Sequence, residues 1–148
     1  MTLNIREIKL EDIQKAVNIS FGIPEFETPN LVQDYIERIE DKEYLILIGE
    51  KNNISAGFKI GYKKNNDGSF YSWMGGVLPR YRRQSIANQL TEYQENWAKR
   101  KLYTSIQIKT RQKFQGMLYL AIKRGYNMTS IDEDTRFNDQ IITLEKRL

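Results

Sequence analysis

The sequence contains no cysteine and no histidine. The first absence excludes disulfides, thiolate nucleophiles and thiolate metal sites. The second removes the commonest general base and the commonest metal ligand. Any catalysis therefore falls to carboxylates, Tyr, Lys, Ser or Thr, backbone groups or water, and no metal is expected. No apolar run approaches the ~20 residues that a bilayer crossing needs. Residues 1–6 alternate like a strand, without the apolar centre of a signal peptide. The expectation is a cytoplasmic protein with no membrane partner.

The 148 residues suit one domain, 1–148, with 40% hydrophobic and 28% charged residues, the balance of an ordinary globular protein. The net charge of +4 raises the question of nucleic acid. Most of the positive charges are interleaved with Asp and Glu, however, as on a solvated surface. The exception is the group Arg80, Arg82 and Arg83. So small a cluster suits a small polyanion better than a long one, and no nucleic-acid partner is expected.

Leu3 and Ile5 mark a first strand, and Ile13, Ala16, Val17 and Ser20 a first helix. After a loop holding Gly22, Pro24, Glu25 and Glu27, Thr28 is the expected N-cap of a second helix, with Pro29 in its first turn. Residues 44–48 are continuously apolar, the pattern of a strand buried on both sides. From Ile54 to Tyr62 strict alternation predicts a strand with one buried face. Asn65, Asn66, Asp67 and Gly68 supply turn chemistry before a fourth strand at 69–77. Ile86, Leu90, Tyr93 and Trp97 then recur at helical spacing. A strand at 103–110 follows, then a helix carrying Phe114, Met117, Leu118, Ala121 and Ile122 that Gly125 stops. Two strands at 126–131 and 137–144, joined by an acidic turn at 132–134, close the chain. The order β-α-α-β-β-β-α-β-α-β-β predicts an α/β domain. It has a mixed sheet of about seven strands and about four flanking helices.

The chemistry concentrates in Val77-Leu78-Pro79-Arg80-Tyr81-Arg82-Arg83-Gln84-Ser85-Ile86-Ala87. There a strand ends and a helix starts within a few residues, so the first helical turn offers unpaired N–H groups and the positive dipole end to an anion. Cations at that end cost roughly 0.3–1 kcal/mol each. Helix stability alone would place Asp or Glu there, and a bound pyrophosphate removes the misfit. On local physics alone, a solvated basic loop remains an equal alternative.

The pattern Val77-x-Pro79-x-x-Arg82-x-x-Ser85-x-Ala87 resembles the acetyl-CoA signature of the GNAT superfamily of N-acetyltransferases, whose core is Arg or Gln, two residues, Gly, one residue, then Gly or Ala. The helix ending in Gly125-Tyr126 and the element order resemble that family along the whole chain. The resemblance implies an acetyltransferase that passes acetyl from acetyl-CoA directly to a small-molecule or peptide amine. It implies pyrophosphate binding by the backbone of Arg82, Arg83, Gln84, Ser85, Ile86 and Ala87, supported by the Arg82 side chain. It also implies that Gly75 to Val77 pair with the pantetheine arm, with the paired glycines Gly75-Gly76 distorting the strand. Gln112 stands where the family places an amide near the pantetheine.

Three positions depart from the family. Ser85 replaces its Gly. Ala121 falls where many members carry the Tyr that protonates the departing thiolate. No carboxylate lies in the fourth strand, where many carry a Glu base. Glu25, held among Ile23, Pro24 and Phe26, is the candidate base in this chain. With no enzyme acid in view, the rate is expected to rise with pH toward the acceptor's own pKa. A non-catalytic acyl-CoA-binding domain and a small nucleic-acid module are the alternatives. Monomer and homodimer are both left open.

Overall fold

The computed structural model describes residues 2–148; Met1, the first residue of the expected opening strand, lies outside them. The first alternation becomes β1 (Leu3–Ile8), followed by a 3-10 turn at Leu10–Asp12 and α1 (Gln14–Phe21). The second helix, α2 (Val32–Ile39), starts later than Thr28 and Pro29 imply. Asp34 Oδ2 accepts the N–H of Leu31 at 2.8 Å, the Asp34 N–H donates to the Leu31 carbonyl at 3.0 Å, and this pair of bonds fixes the helix start there. Thr28 therefore caps nothing.

β2 (Tyr44–Lys51), β3 (Ile54–Tyr62) and β4 (Ser69–Val77) form an antiparallel meander on which β1 pairs with β2. α3 (Ile86–Arg100) crosses over to β5 (Ser105–Arg111), which runs parallel to β4. α4 (Gln115–Lys123), β6 (Asn127–Asp134) and β7 (Asp139–Arg147) complete one seven-stranded sheet of order β1-β2-β3-β4-β5-β7-β6. The expected class and element order are both observed. A core lies on each side of the sheet. As its apolar run implies, β2 serves both: Leu45 and Leu47 enter the core under α3, Ile46 and Ile48 the one under α1.

Two expectations are corrected. β3 is buried on both faces from Ala56 to Tyr62, not on one. Glycines make this work, because α3 lies directly on Gly57, Lys59 and Gly61. A Cβ on Gly57 would sit 3.3 Å from Ile86 Cγ2, and one on Gly61 2.8 Å from Gln94 Nε2. The acidic residues 132–134 are not a turn but the end of β6; the turn is residues 135–138, with Asn138 at φ 48°. Asp134 stays in the strand because Arg111 holds its carboxylate at 2.9 Å and Arg136 at 3.1 Å. Among the described residues, no helix is long and apolar enough to cross a membrane.

Candidate active site

The sheet opens at its centre. β4 and β5 pair only from Ser69 opposite Ser105 to Ser72 opposite Ile108. Beyond that point Lys109, Thr110 and Arg111 pair with β7 alone, and residues 74–77 of β4 pair only with β3. Met74 lies opposite Ile60 but Ser72 opposite Gly61, so Trp73 is an extra residue that turns β4 away. The distortion thus sits at Trp73 and not at Gly75-Gly76, which stay in register with Lys59 and Phe58. Residues 73–76 are only half-buried although β4 is the middle strand. Their backbone edge faces a slot.

The slot ends at the arginine-bearing loop. β4 runs into a 3-10 turn, Pro79–Tyr81, and Arg83 and Ser85 then adopt φ of 62° and 67° before α3 begins. Two left-handed residues in three turn successive amides toward one side, a concavity suited to an anion. Among the described residues, no backbone or side-chain acceptor meets the N–H groups of residues 83–88. Six donors and the positive end of a 15-residue helix therefore converge there, with no acidic residue in the first turn. Ser85 in the left-handed region explains why glycine suits this position. The serine carries a strain of about 1 kcal/mol that glycine would not. Ile86 anchors the turn by burying its side chain against Gly49 and Gly57, while Gln84 and Ala87 are exposed.

Arg82 and Glu25, two of the expected site residues, are each other's partner. The guanidinium donates Nη1 to Glu25 Oε2 at 2.8 Å and Nη2 to Oε1 at 2.9 Å, while its Nε donates to the Val77 carbonyl at 3.0 Å. Arg82 thus ties the end of β4, the anion loop and the α1–α2 loop together. Its hydrogen bonds hold the Glu25 carboxyl below its ordinary range. A carboxylate so held is a weak base.

The rest of the α1–α2 loop straps across the slot. Ile23 covers Gly76, where a Cβ would fall 2.4 Å from Ile23 Cδ1. Phe26 meets Phe114 edge-on at 6.2 Å, and Glu27 pairs with Lys113 at 3.6 Å. Beside it, a cavity of about 560 Å³ is lined by Asn30, Asp34, Glu37, Arg38, Asp41, Lys42 and Trp73. Gln112 stands apart from the anion loop, in a second cavity of about 360 Å³ with Phe137 and Asp139. Ala121 is buried and faces inward, whereas Tyr119 is 68% exposed, as its place on the helix requires.

Two groups beside the slot were not anticipated. Glu95 of α3 is buried and accepts from Arg124 at 2.7 Å, Tyr126 at 2.9 Å and Lys146 at 3.0 Å. Burial pushes its carboxyl up, but those three donors outweigh it and the net shift is downward. Lys59 of β3 is 5% exposed. Burial lowers its ammonium to about 8; nearby Glu95 opposes that shift and Arg124 adds to it. The available signal for Lys59 was Gly57-x-Lys59-x-Gly61: glycines at alternate positions mark a strand face on which another element lies closely.

The Lys59 shift has a stability consequence. The folded value of about 8 lies below the ordinary 10.5, so the unfolded chain binds the proton more tightly. The penalty is fully present below about pH 8 and fades as pH rises toward 10.5. Lys59→Met is expected to raise stability at neutral pH by on the order of 2–3 kcal/mol, with the gain shrinking toward pH ~10. Urea titrations of both proteins across that range measure it.

No protein-family model and no curated protein sequence matches the chain. Solved structures do. The ribosomal-protein-S18-alanine N-acetyltransferase from Escherichia coli superposes with a TM-score of 0.85 at 17% identity, over 99% of this chain and 94% of that one. An acetyltransferase of the GNAT family from Streptococcus pneumoniae gives 0.79 at 14% identity, over 99% of both chains. The protein yncA from Salmonella typhimurium, solved with its cofactor acetyl-CoA, gives 0.78 at 12% identity, over 100% of this chain and 95% of that one. The chain has the fold of the GNAT superfamily from end to end.

Proposed function

We propose that this protein is an acetyl-CoA-dependent N-acetyltransferase that moves acetyl directly to an amine in a ternary complex. One observation carries the reading: the six unpartnered N–H groups of residues 83–88 lie where a splayed central strand meets a helix. Anion binding and an open strand edge are adjacent, which suits one ligand with a pyrophosphate at one end and an amide-bearing arm at the other.

The residues present fit that ligand. The amides of residues 83–88 hold the pyrophosphate, and Arg83 adds charge from outside. Arg82 acts through structure, because its guanidinium is spent on Glu25 and Val77. The free edge at Gly75, together with the Val77 N–H, pairs with the pantetheine amides as an added strand. When bound, the cofactor supplies an acetyl thioester. A backbone N–H near Val77 polarises the carbonyl, and the strap over the slot excludes water. Positioning contributes several kcal/mol. Glu25 is a positioning residue in this scheme, and the amine proton leaves through water.

Incubation of acetyl-CoA with a panel of amines (polyamines, amino sugars, peptide N-termini and lysine side chains) tests the reading through release of free thiol. Amine-dependent release with acetylated product by mass spectrometry is expected. Ala121, a methyl where relatives carry a hydroxyl, favours a second reading: an acyl-CoA-binding domain without catalysis. Tight binding with no thiol release from any amine would establish that reading instead.

A further inference from the structure

Lys59 has no role in the scheme above, and its surroundings give it one. It lies on the face of β3 covered by α3, in register with Gly75 of β4. A Cβ on Gly75 would meet Lys59 Cγ at 3.4 Å, so the lysine stem lies against β4 where that strand has no side chain. Gly75 belongs to the part of β4 that borders the slot. The residue is 5% exposed, and its ammonium feels Glu95 of α3 and Arg124 at the end of α4. Neither is its partner, since the Glu95 oxygens are taken by Arg124, Tyr126 and Lys146. Two residues along the same face, against Gly61, Gln94 is fully buried with both amide atoms unpartnered. The interior under α3 therefore holds an amide that the protein itself does not satisfy. α4 meanwhile turns Ala121 inward, with Met117 and Leu118 packed on the same core, and none of the three carries a proton to give.

Resting on the acetyltransferase reading, we infer that Lys59 protonates the departing coenzyme A thiolate, in place of the hydroxyl that Ala121 lacks. The acceptor nitrogen forms its bond to the acetyl carbon and the C–S bond breaks, its electron pair going to sulfur. Lys59 gives one proton to that sulfur and becomes a neutral amine. The acceptor nitrogen loses one proton to water, and Lys59 regains one from water. An ammonium near 8 is matched to a thiol whose ordinary value is about 8–9, which favours transfer at neutral pH. The charged groups facing Lys59 are Glu95 from α3 and Arg124 from the end of α4. Lys146 of β7 and Tyr126 act on it through Glu95. Its strand neighbours Leu47 and Gly75 carry no charge.

The test compares calorimetric affinities for coenzyme A and for desulfo-coenzyme A, which lacks the sulfur, in wild type, Lys59→Met and Lys59→Arg. Wild type is expected to prefer the sulfur-bearing ligand increasingly as pH approaches ~8. Lys59→Met should lose about tenfold of that preference, equal to one pK unit on the bound thiol, while Lys59→Arg keeps it. In turnover, the wild-type rate should fall above about pH 8 and the Lys59→Met profile should lack that fall. Equal preference in wild type and Lys59→Met overturns the assignment, as does acetylation of Lys59 itself on incubation with acetyl-CoA. A pH-independent wild-type preference overturns it even if Lys59→Met fails to fold. Failure of wild type to bind either ligand instead removes the acetyl-CoA reading beneath it.

Discussion

Arg82→Glu is expected to weaken coenzyme A binding by about 100-fold, whereas Arg100→Glu should change it by less than about threefold. Arg82 braces the anion loop by three hydrogen bonds, to Val77 and to both oxygens of Glu25. Its replacement by a carboxylate frees the loop, sets two acids side by side, and reverses a charge next to the proposed pyrophosphate site. A charge-assisted bond contributes roughly 1.5–3 kcal/mol, and 1.4 kcal/mol is tenfold in affinity. Arg100 closes the same helix at its far end, where a cation complements the dipole. Its reversal costs stability and leaves the ligand alone. Calorimetry on the two variants separates a specific site from general positive charge, and equal losses would favour the latter.

Glu95→Leu is expected to destabilise the fold by about 3–5 kcal/mol, the usual result of removing one member of a buried ionic cluster. Arg124 and Lys146 lose their common partner, and the buried Tyr126 hydroxyl loses its acceptor. At about 2–4 °C per kcal/mol for a chain of this size, the melting temperature should fall by roughly 10 °C. Glu92→Leu, whose carboxylate is 60% exposed and 3.9 Å from Arg124, should move it by no more than about 1–2 °C. Glu95 thereby joins α3, the end of α4 and β7.

The order of elements was legible because each period is clear: 44–48 is apolar without a break, and Ile86, Leu90 and Trp97 share one face. The candidate anion loop drew on two signals: arginines before a helix conflict with helix electrostatics, which a solvated basic loop explains equally, and the resemblance of Val77 to Ala87 to the family signature decided between them. What the sequence could not show was pairing across distance. Glu25 and Arg82 lie 57 residues apart, and nothing in either neighbourhood says that they neutralise each other. Gly75-Gly76 looked like the weak point of β4, yet the bulge falls at Trp73. There the indole is held by Tyr35 at 5.1 Å and Tyr62 at 5.8 Å, a tertiary cause with no local mark. Lys59 read as solvent-facing because strict alternation assumes one wet face, and the helix that dries that face begins 27 residues later.

The account's central claim is that the loop at residues 82–87 and the splayed strand behind it form one acetyl-CoA site. Thermal unfolding with increasing acetyl-CoA tests it most directly. A ligand that binds only the folded state adds about 2.7 kcal/mol at one hundred times its dissociation constant, which corresponds to a rise of roughly 5–10 °C here. The account predicts that rise for wild type and its loss in Arg82→Glu at the same ligand concentration. No rise in wild type at millimolar acetyl-CoA or coenzyme A would contradict it.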